Sequence, residues 1–382
     1  LHRSSGRCSC GDTAEIQRPN YTPHRRAVRR CVAPSRVASA SADEDNDVGI
    51  RREEVTHQMN LESVVVVGGA GFIGSHFVDS LLADSSTKRV TVYDNFSSGR
   101  EWHFEQHLTD DRFAVVRGEI ADRQRLVDTL RGATVVIHLA SNPDIAAAVS
   151  DPEIDFREGT ALTNGVVEAM RLAGVPAILY ASGSGVYGDI GEQEGTEDET
   201  SLAPVSTYGA SKLAGEALIR SYCYMFDMRG YAFRFGNVVG PRQTHGVGFD
   251  FVKRLLDNPK ELRILGDGRQ SKSYVHVSDI VAAVLHVSRT ETKQFEAFNV
   301  ATLDYITVNE IADIAASVLG LEPSSVVKMH TGGDRGWKGD VPIVRLSTRR
   351  IRATGWTNAR TCAEAIRDSL MQLVPDAKDG RI

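Results

Sequence analysis

Val64-Val65-Val66-Val67-Gly68-Gly69-Ala70-Gly71-Phe72-Ile73-Gly74 is the stretch that decides the fold. Four valines bounded by glycine read as a short strand buried on both faces, the kind found in a parallel sheet. Gly68, Gly71 and Gly74 follow at every third position and open a helical run from Ser75 to Ala83. Glycine permits the tight turn and lets backbone N–H groups approach a pyrophosphate. The helix start, which Phe72 and Ile73 lead into from the turn, adds unpaired N–H donors and a favourable dipole. Twenty residues after Gly74, the strand-like run Arg89 to Tyr93 ends at Asp94, followed by Asn95. A carboxylate there accepts hydrogen bonds from ribose hydroxyls and repels a 2′-phosphate, so the pattern predicts a dinucleotide site for NAD over NADP. Arg100 is the nearby residue that points the other way.

Working outward, Phe113 to Val116, Val135 to Leu139, Ala177 to Ala181 and Tyr231 to Phe235 read as further strands. Asp122 to Arg131, Asp155 to Ala173 and Lys212 to Met225 read as helices. That alternation predicts an α/β fold, a Rossmann-type doubly wound parallel sheet. After Gly240 the rhythm loosens into loops and short elements, which predicts a smaller C-terminal substrate-binding lobe. The expected organisation is a dinucleotide-binding core over 59–240 and a lobe over 241–382, parts of which return to the core. A chain of 382 residues is long enough for both.

Residues 1–58 differ in kind. They hold ten Arg against eight Asp and Glu, so the net charge of −6 for the whole chain deepens to −8 over the remainder. From Ile16 to Ala42 there are six Arg and no acid, then an acidic cluster from Asp43 to Asp47. Two readings stand: an organelle transit peptide, or an over-extended start with the functional start at Met59. The second is favoured, because a patterned domain begins directly after Met59, and a cytoplasmic location is expected with it. The acidic body disfavours nucleic acid as a partner. No run approaches ~18 apolar residues, so no membrane span is expected. The cysteines at 8, 10, 31, 223 and 362 are odd in number and read as free thiols in a reducing compartment. No His, Cys, Asp and Glu spacing suggests a metal site.

Tyr208-Gly209-Ala210-Ser211-Lys212 puts a phenol and an ammonium at i and i+4, on one face of a helix start. A tyrosine beside a positive charge can serve as a general base if its pKa, ordinarily ~10, falls by roughly 3 units, about 4 kcal/mol. Upstream, Tyr180-Ala181-Ser182-Gly183-Ser184-Gly185-Val186-Tyr187-Gly188 ends a strand with hydroxyls that could hold an oxygen undergoing deprotonation.

Taken together with His138-Leu139-Ala140, Arg234-Phe235-Gly236-Asn237-Val238-Val239-Gly240-Pro241, the segment Gly266 to Asp279 and Gly355-Trp356, these motifs resemble the extended short-chain dehydrogenases/reductases, specifically the NAD-dependent nucleotide-sugar epimerase/dehydratase family. The likeness runs from about Leu61 to about Leu373. It implies that Glu119 and Ile120 flank the adenine and that Leu139, Ala140 and Ser141 line the cofactor. It implies that Asn237 touches the sugar-nucleotide, and that Gln270 and Lys272 lie in the segment holding its base and diphosphate. A homodimer is a further family expectation. Three departures stand out. The family hydroxyl four residues before Tyr187 is Gly183 here, so Ser182, favoured, or Ser184 must take its role. Lys272 stands where the family often has Arg, and keeps the charge without the planar fork. The usual Arg-Pro-Gly-Asp becomes Asp334-Arg335-Gly336-Trp337-Lys338-Gly339-Asp340, leaving Arg335 or Lys338 to meet a phosphate.

In this family Tyr208 would take the proton of the sugar 4-hydroxyl while C4 gives up hydride. Dehydratase and decarboxylase branches place carboxylates just before the Val-Tyr-Gly; this chain has Ser184-Gly185. The resemblance therefore implies a 4-epimerase of the UDP-glucose/UDP-galactose type. A dehydratase, dehydrogenase or reductase of the same family is one alternative, and a non-catalytic NAD-binding regulatory or RNA-associated protein is another.

Overall fold

The valine run forms β1 (Ser63–Val67) in the computed structural model, which describes residues 58–381. Alternate valines face opposite ways: Val64 and Val66 pack with Phe77, Val78 and Leu81, whereas Val65 and Val67 pack with Val166, Val167 and Met170. Two-sided burial is what an unbroken apolar strand requires. The helix after it, α1 (Phe72–Ala83), starts three residues before Ser75, because Gly74 hides the first turn from a propensity reading. Then follow β2 (Arg89–Asp94), β3 (Phe113–Arg117), α2 (Arg123–Leu130) and β4 (Val135–His138). A π-turn, Phe156–Ala161, runs into α3 (Leu162–Ala173); then come β5 (Ala177–Gly183), α4 (Thr207–Met225) and β6 (Arg229–Phe235).

The C-terminal part opens with β7 (Asn237–Val239), α5 (Val247–Asp257), β8 (Glu261–Ile264), β9 (Ser271–Lys272) and β10 (Tyr274–His276). It then crosses back. α6 (Val277–Thr290) and β11 (Phe295–Val300) rejoin the core, and β11 pairs parallel with β6 from Phe295–Gly230 to Val300–Phe235. The main sheet therefore has seven strands, in the order β11-β6-β5-β4-β1-β2-β3. It is a parallel, Rossmann-like sheet with helices on both faces. The chain leaves again through β12 (Ile306–Thr307), α7 (Val308–Val318), β13 (Val327–His330), α8 (Arg349–Ala353) and α9 (Cys362–Lys378). A separate apolar core joins Phe249, Leu262, Ile311, Ala315, Ile366 and Leu370 in this lobe. Among the described residues no helix is long and apolar enough to cross a membrane. The reading of residues 1–58, with Cys8, Cys10 and Cys31, falls outside the described residues except for Gln58.

Candidate active site

Gly68 sits at φ +80, and a β-carbon on it would lie 2.6 Å from the Ala140 nitrogen, so only glycine fits between β1 and the segment after β4. A β-carbon on Gly74 would lie 2.6 Å from Gly69 Cα, which lets α1 press onto the turn. Gly71 is the N-cap of α1, and no side chain caps that helix. The N–H groups of Phe72, Ile73 and Gly74 are thus the orphan donors of a helix start. Asp94, at the end of β2, accepts from Ala70 N–H at 2.9 Å and from Phe96 N–H at 2.7 Å. Burial raises its pKa while those two bonds oppose the rise. Each oxygen keeps a lone pair for a further donor. Asn95 donates to Glu119 at 3.1 Å, and the Glu119 carbonyl is held by the Tyr93 phenol at 2.7 Å. Ile120 is buried beside α3. Leu139 and Ala140 donate their N–H groups to the Val67 carbonyl, which brings Ser141 to the same edge of the sheet. An uncapped helix start, an open glycine cap and a carboxylate with spare acceptors fit a dinucleotide.

Across this edge α4 begins at Thr207, capped by the Ser206 hydroxyl, which accepts from Gly209 N–H. Tyr208 and Lys212 are therefore in its first two turns. Tyr208 is half-buried, and desolvation pushes its phenol up to about 12, with the buried Ser141 hydroxyl opposing and Asp155 reinforcing the rise. Lys212 is buried and donates to the Ala181 carbonyl at 2.9 Å; its nitrogen lies 5.4 Å from the Tyr208 ring centre. Burial pulls the ammonium down to about 8, and Asp155 works against that fall.

The two serines part company. Ser182 is buried and donates to Glu216 at 2.5 Å. Glu216 is in turn gripped by Arg234 through two nitrogens, at 3.0 and 2.7 Å. Arg234 also donates to the Tyr187 phenol at 2.9 Å, which donates to Asn299 at 2.9 Å. Ser182, the favoured candidate for the substrate-facing hydroxyl, is thus engaged by the ion pair, its side chain on the same face of β5 as Tyr180, toward α4. Ser184 opens the 3-10 turn Ser184–Tyr187 and is partly exposed, and its hydroxyl enters no hydrogen bond among the described residues. A β-carbon on Gly183 would meet nothing within 4 Å, and the turn that follows touches the first turn of α4, Gly185 against Gly209.

The residues expected around a diphosphate also gather. Lys272 pairs with Asp340 at 2.7 Å. Arg335 donates to the Asp340 carbonyl at 3.0 Å and pairs with Asp189 at 2.7 Å. Gly336 N–H donates to the other Asp340 oxygen at 3.0 Å. Gln270 is buried and donates to the Leu265 carbonyl, with its own oxygen unpartnered. Asn237 starts β7, where the Tyr274 phenol reaches it. Trp337 packs on Gly339 close to Ser206, so this loop lies over the start of α4. Among the described residues no group of three or more His, Cys, Asp and Glu is arranged to hold a metal ion.

A family model for the NAD dependent epimerase/dehydratase family matches residues 64–301. The chain belongs to that family. This epimerase/dehydratase is 32% identical over 310 residues to a UDP-glucose 4-epimerase of Mycolicibacterium smegmatis, covering 79% of this chain and 95% of the relative. A crystal structure of UDP-galactose 4-epimerase superposes with a TM-score of 0.73 at 35% identity, covering 82% of this chain and 99% of that one. The dTDP-glucose 4,6-dehydratase DesIV of Streptomyces venezuelae, solved with NAD bound, superposes with a TM-score of 0.76 at 27% identity, covering 83% and 98%. NAD is the cofactor, and the chain is an enzyme of this family. What the sequence reading missed is the second layer: Glu216, Arg234, Asn299, Asp155, Asp189 and Asp340. The one available signal was spacing, since Tyr208, Lys212 and Glu216 recur every four residues on one helix face.

Proposed function

We propose that the enzyme is a nucleotide-sugar 4-epimerase acting on UDP-glucose and UDP-galactose. The observation that carries this reading is the turn beside Tyr208: Gly183-Ser184-Gly185 holds no carboxylate and leaves open space at Gly183. Eliminating water from a 4-keto sugar needs an acid and a base at that turn. The buried carboxylates nearby are already engaged, Glu216 by Arg234 and Asp155 by Asn142 and Thr207. A keto sugar here meets no group that would take it onward, and has room to present its other face.

The chemistry a bound NAD supplies is reversible acceptance of hydride from C4 of the sugar. Tyr208 removes the proton of the 4-hydroxyl and returns it at the end of the cycle. With a phenol at about 12, operation near neutrality requires a fall of roughly 5 units, about 7 kcal/mol. The Lys212 charge, 5.4 Å from the ring, supplies part of that, and the positive nicotinamide supplies more. Ser184 donates to the reacting oxygen. Lys272 and Arg335 exchange Asp340 and Asp189 for the diphosphate, and Gln270 and Asn237 orient the nucleotide.

The test is proton NMR of the full chain with UDP-glucose and no added NAD. The anomeric signal of UDP-galactose is expected to appear, and to vanish in Tyr208→Phe. Folded, NAD-loaded protein that interconverts no nucleotide-sugar 4-epimer pair would overturn the reading.

A further inference from the structure

Asp155 is a buried carboxylate, 1% exposed, at the head of the π-turn that leads into α3. It accepts from Asn142 Nδ2 at 2.9 Å and from Thr207 Oγ1 at 2.6 Å. Those partners are neighbours of the site. Asn142 follows Ser141, and Thr207 precedes Tyr208. One side chain thus ties the segment after β4 to the first turn of α4, and the Tyr208 phenol works between them. Both partners donate and the carboxylate only accepts. We propose that Asp155 is a positioning residue for the Tyr208–Lys212 pair, fixing the approach of the two segments and supplying the negative charge against which Lys212 stays an ammonium.

The electrostatics agree with the geometry. Asp155 is the carboxylate that acts on both members: it holds the Lys212 proton on against burial and keeps the Tyr208 proton on as well. The other groups around it are of two kinds. His138 lies behind Lys212 and is kept neutral by burial. Asp144 and His245 face one another farther along the same loop side, and on its own segment Arg157 pairs outward with Asp151 and Glu153, while Glu158 is half-buried. Removing the Asp155 charge therefore lowers both midpoints of the coupled pair, whichever residue loses its proton first.

The proposal rests on the epimerase reading only for its kinetic arm. In Asp155→Asn the amide oxygen still accepts from Asn142 and the amide nitrogen donates to Thr207, so the hydrogen bonds persist and the charge goes. The titration of Tyr208 is followed in the NAD-loaded full chain by carbon-13 NMR of tyrosine labelled at Cζ, with the signal assigned by Tyr208→Phe. The midpoint is expected to fall by about one pH unit in Asp155→Asn. Both limbs of the kcat/KM profile are expected to move to lower pH with it. Thr207→Lys, which brings an ammonium to the same carboxylate from an exposed position, is expected to shift the midpoint in the same direction without touching a buried residue. Thr207→Val removes the hydrogen bond alone, and is expected to lower turnover without moving the limbs. A Tyr208 midpoint unchanged in Asp155→Asn, or in Thr207→Lys should the first variant not fold, would overturn the proposal. A shifted midpoint in a protein that turns over no nucleotide sugar would sink the epimerase reading and sustain this one.

Discussion

At the scale of single residues, two serines two positions apart have different surroundings. On a strand, side chains two apart share a face, but β5 ends at Gly183 and the chain turns before Ser184. Ser182 stays on the α4 side and completes a buried ion pair, whereas Ser184 opens the 3-10 turn, half-buried and with its hydroxyl unengaged. Ser182→Ala leaves Glu216 one donor short and is expected to lower stability by about 1–3 kcal/mol. In Ser184→Ala the unfolding midpoint is expected to stay put while turnover falls. Denaturant melts and initial rates on the two variants check this, and the reverse pattern would restore Ser182 to the substrate. The motif Tyr208-x-x-x-Lys212 was legible because its function needs only spacing on one helix. The choice between serines was not, since it depends on a partner, Glu216, that lies 34 residues away.

At the scale of elements, α4 does most of the assembly. It presents Tyr208, Lys212 and Glu216 on one face, to the cofactor edge, the β5 carbonyl and the Arg234 guanidinium in turn. It comes this close because three of its neighbours' contacts admit no side chain. A β-carbon on Gly215 would lie 2.4 Å from the Tyr180 oxygen, one on Gly209 2.4 Å from the Gly185 carbonyl oxygen, and one on Gly159 2.6 Å from the Ser211 hydroxyl. Gly209→Ala must push the first turn of α4 off the Ser184 turn, because the obstacle is backbone. Turnover is expected to fall on the order of 10- to 100-fold. Retention of NAD is expected to be unchanged, because the proposed contacts at Gly68, Gly71 and Asp94 lie apart from this turn; ultraviolet absorbance of the purified protein after acid release measures it. Most helices and strands could be read from periodicity, with ends off by a few residues where glycine lies in a first turn, as at α1. The start of α4 was missed by five residues for the same reason, since Gly209 and the cap Ser206 weaken its helical signal.

At the scale of the whole molecule, acid is the condition to which this fold is most exposed. His138 and His103 are fully buried, and burial pushes them down to about 3 and about 4; His276 is held down to about 4 as well. The unfolded chain takes up these protons below ~6.5, and the folded chain does not until the lower values are reached. Their contribution to stability is therefore complete above ~6.5 and is lost as pH falls toward 4, at about 1.4 kcal/mol per pH unit for each histidine. Unfolding midpoints measured between pH 7 and pH 5 are expected to drop steadily; a flat profile would contradict the burial of these rings. The sheet makes a second demand. β11 completes it from beyond residue 290, and α6 packs with α1 in the same apolar cluster. A fragment ending at Gly240 lacks both, and is expected to melt without cooperativity by circular dichroism. The sequence reading expected parts of the C-terminal region to return to the core without saying which, and the strand β11, Phe295-Glu-Ala-Phe-Asn-Val, has no motif that marks it. Its place follows only from the vacancy beside β6.

That late strand gives the enzyme a history on the ribosome. The ~60 residues between Phe235 and Phe295 take about 3 to 12 seconds to synthesise. Through that interval the nascent chain holds the sequence of six strands, and β6, with Tyr231, Phe233 and Phe235, still lacks the neighbour that will cover it. An open margin of this kind is a template for any extended chain that passes. Shielding of that margin until the seventh strand emerges is expected to raise the yield of active enzyme, beyond what the stability of the finished fold determines.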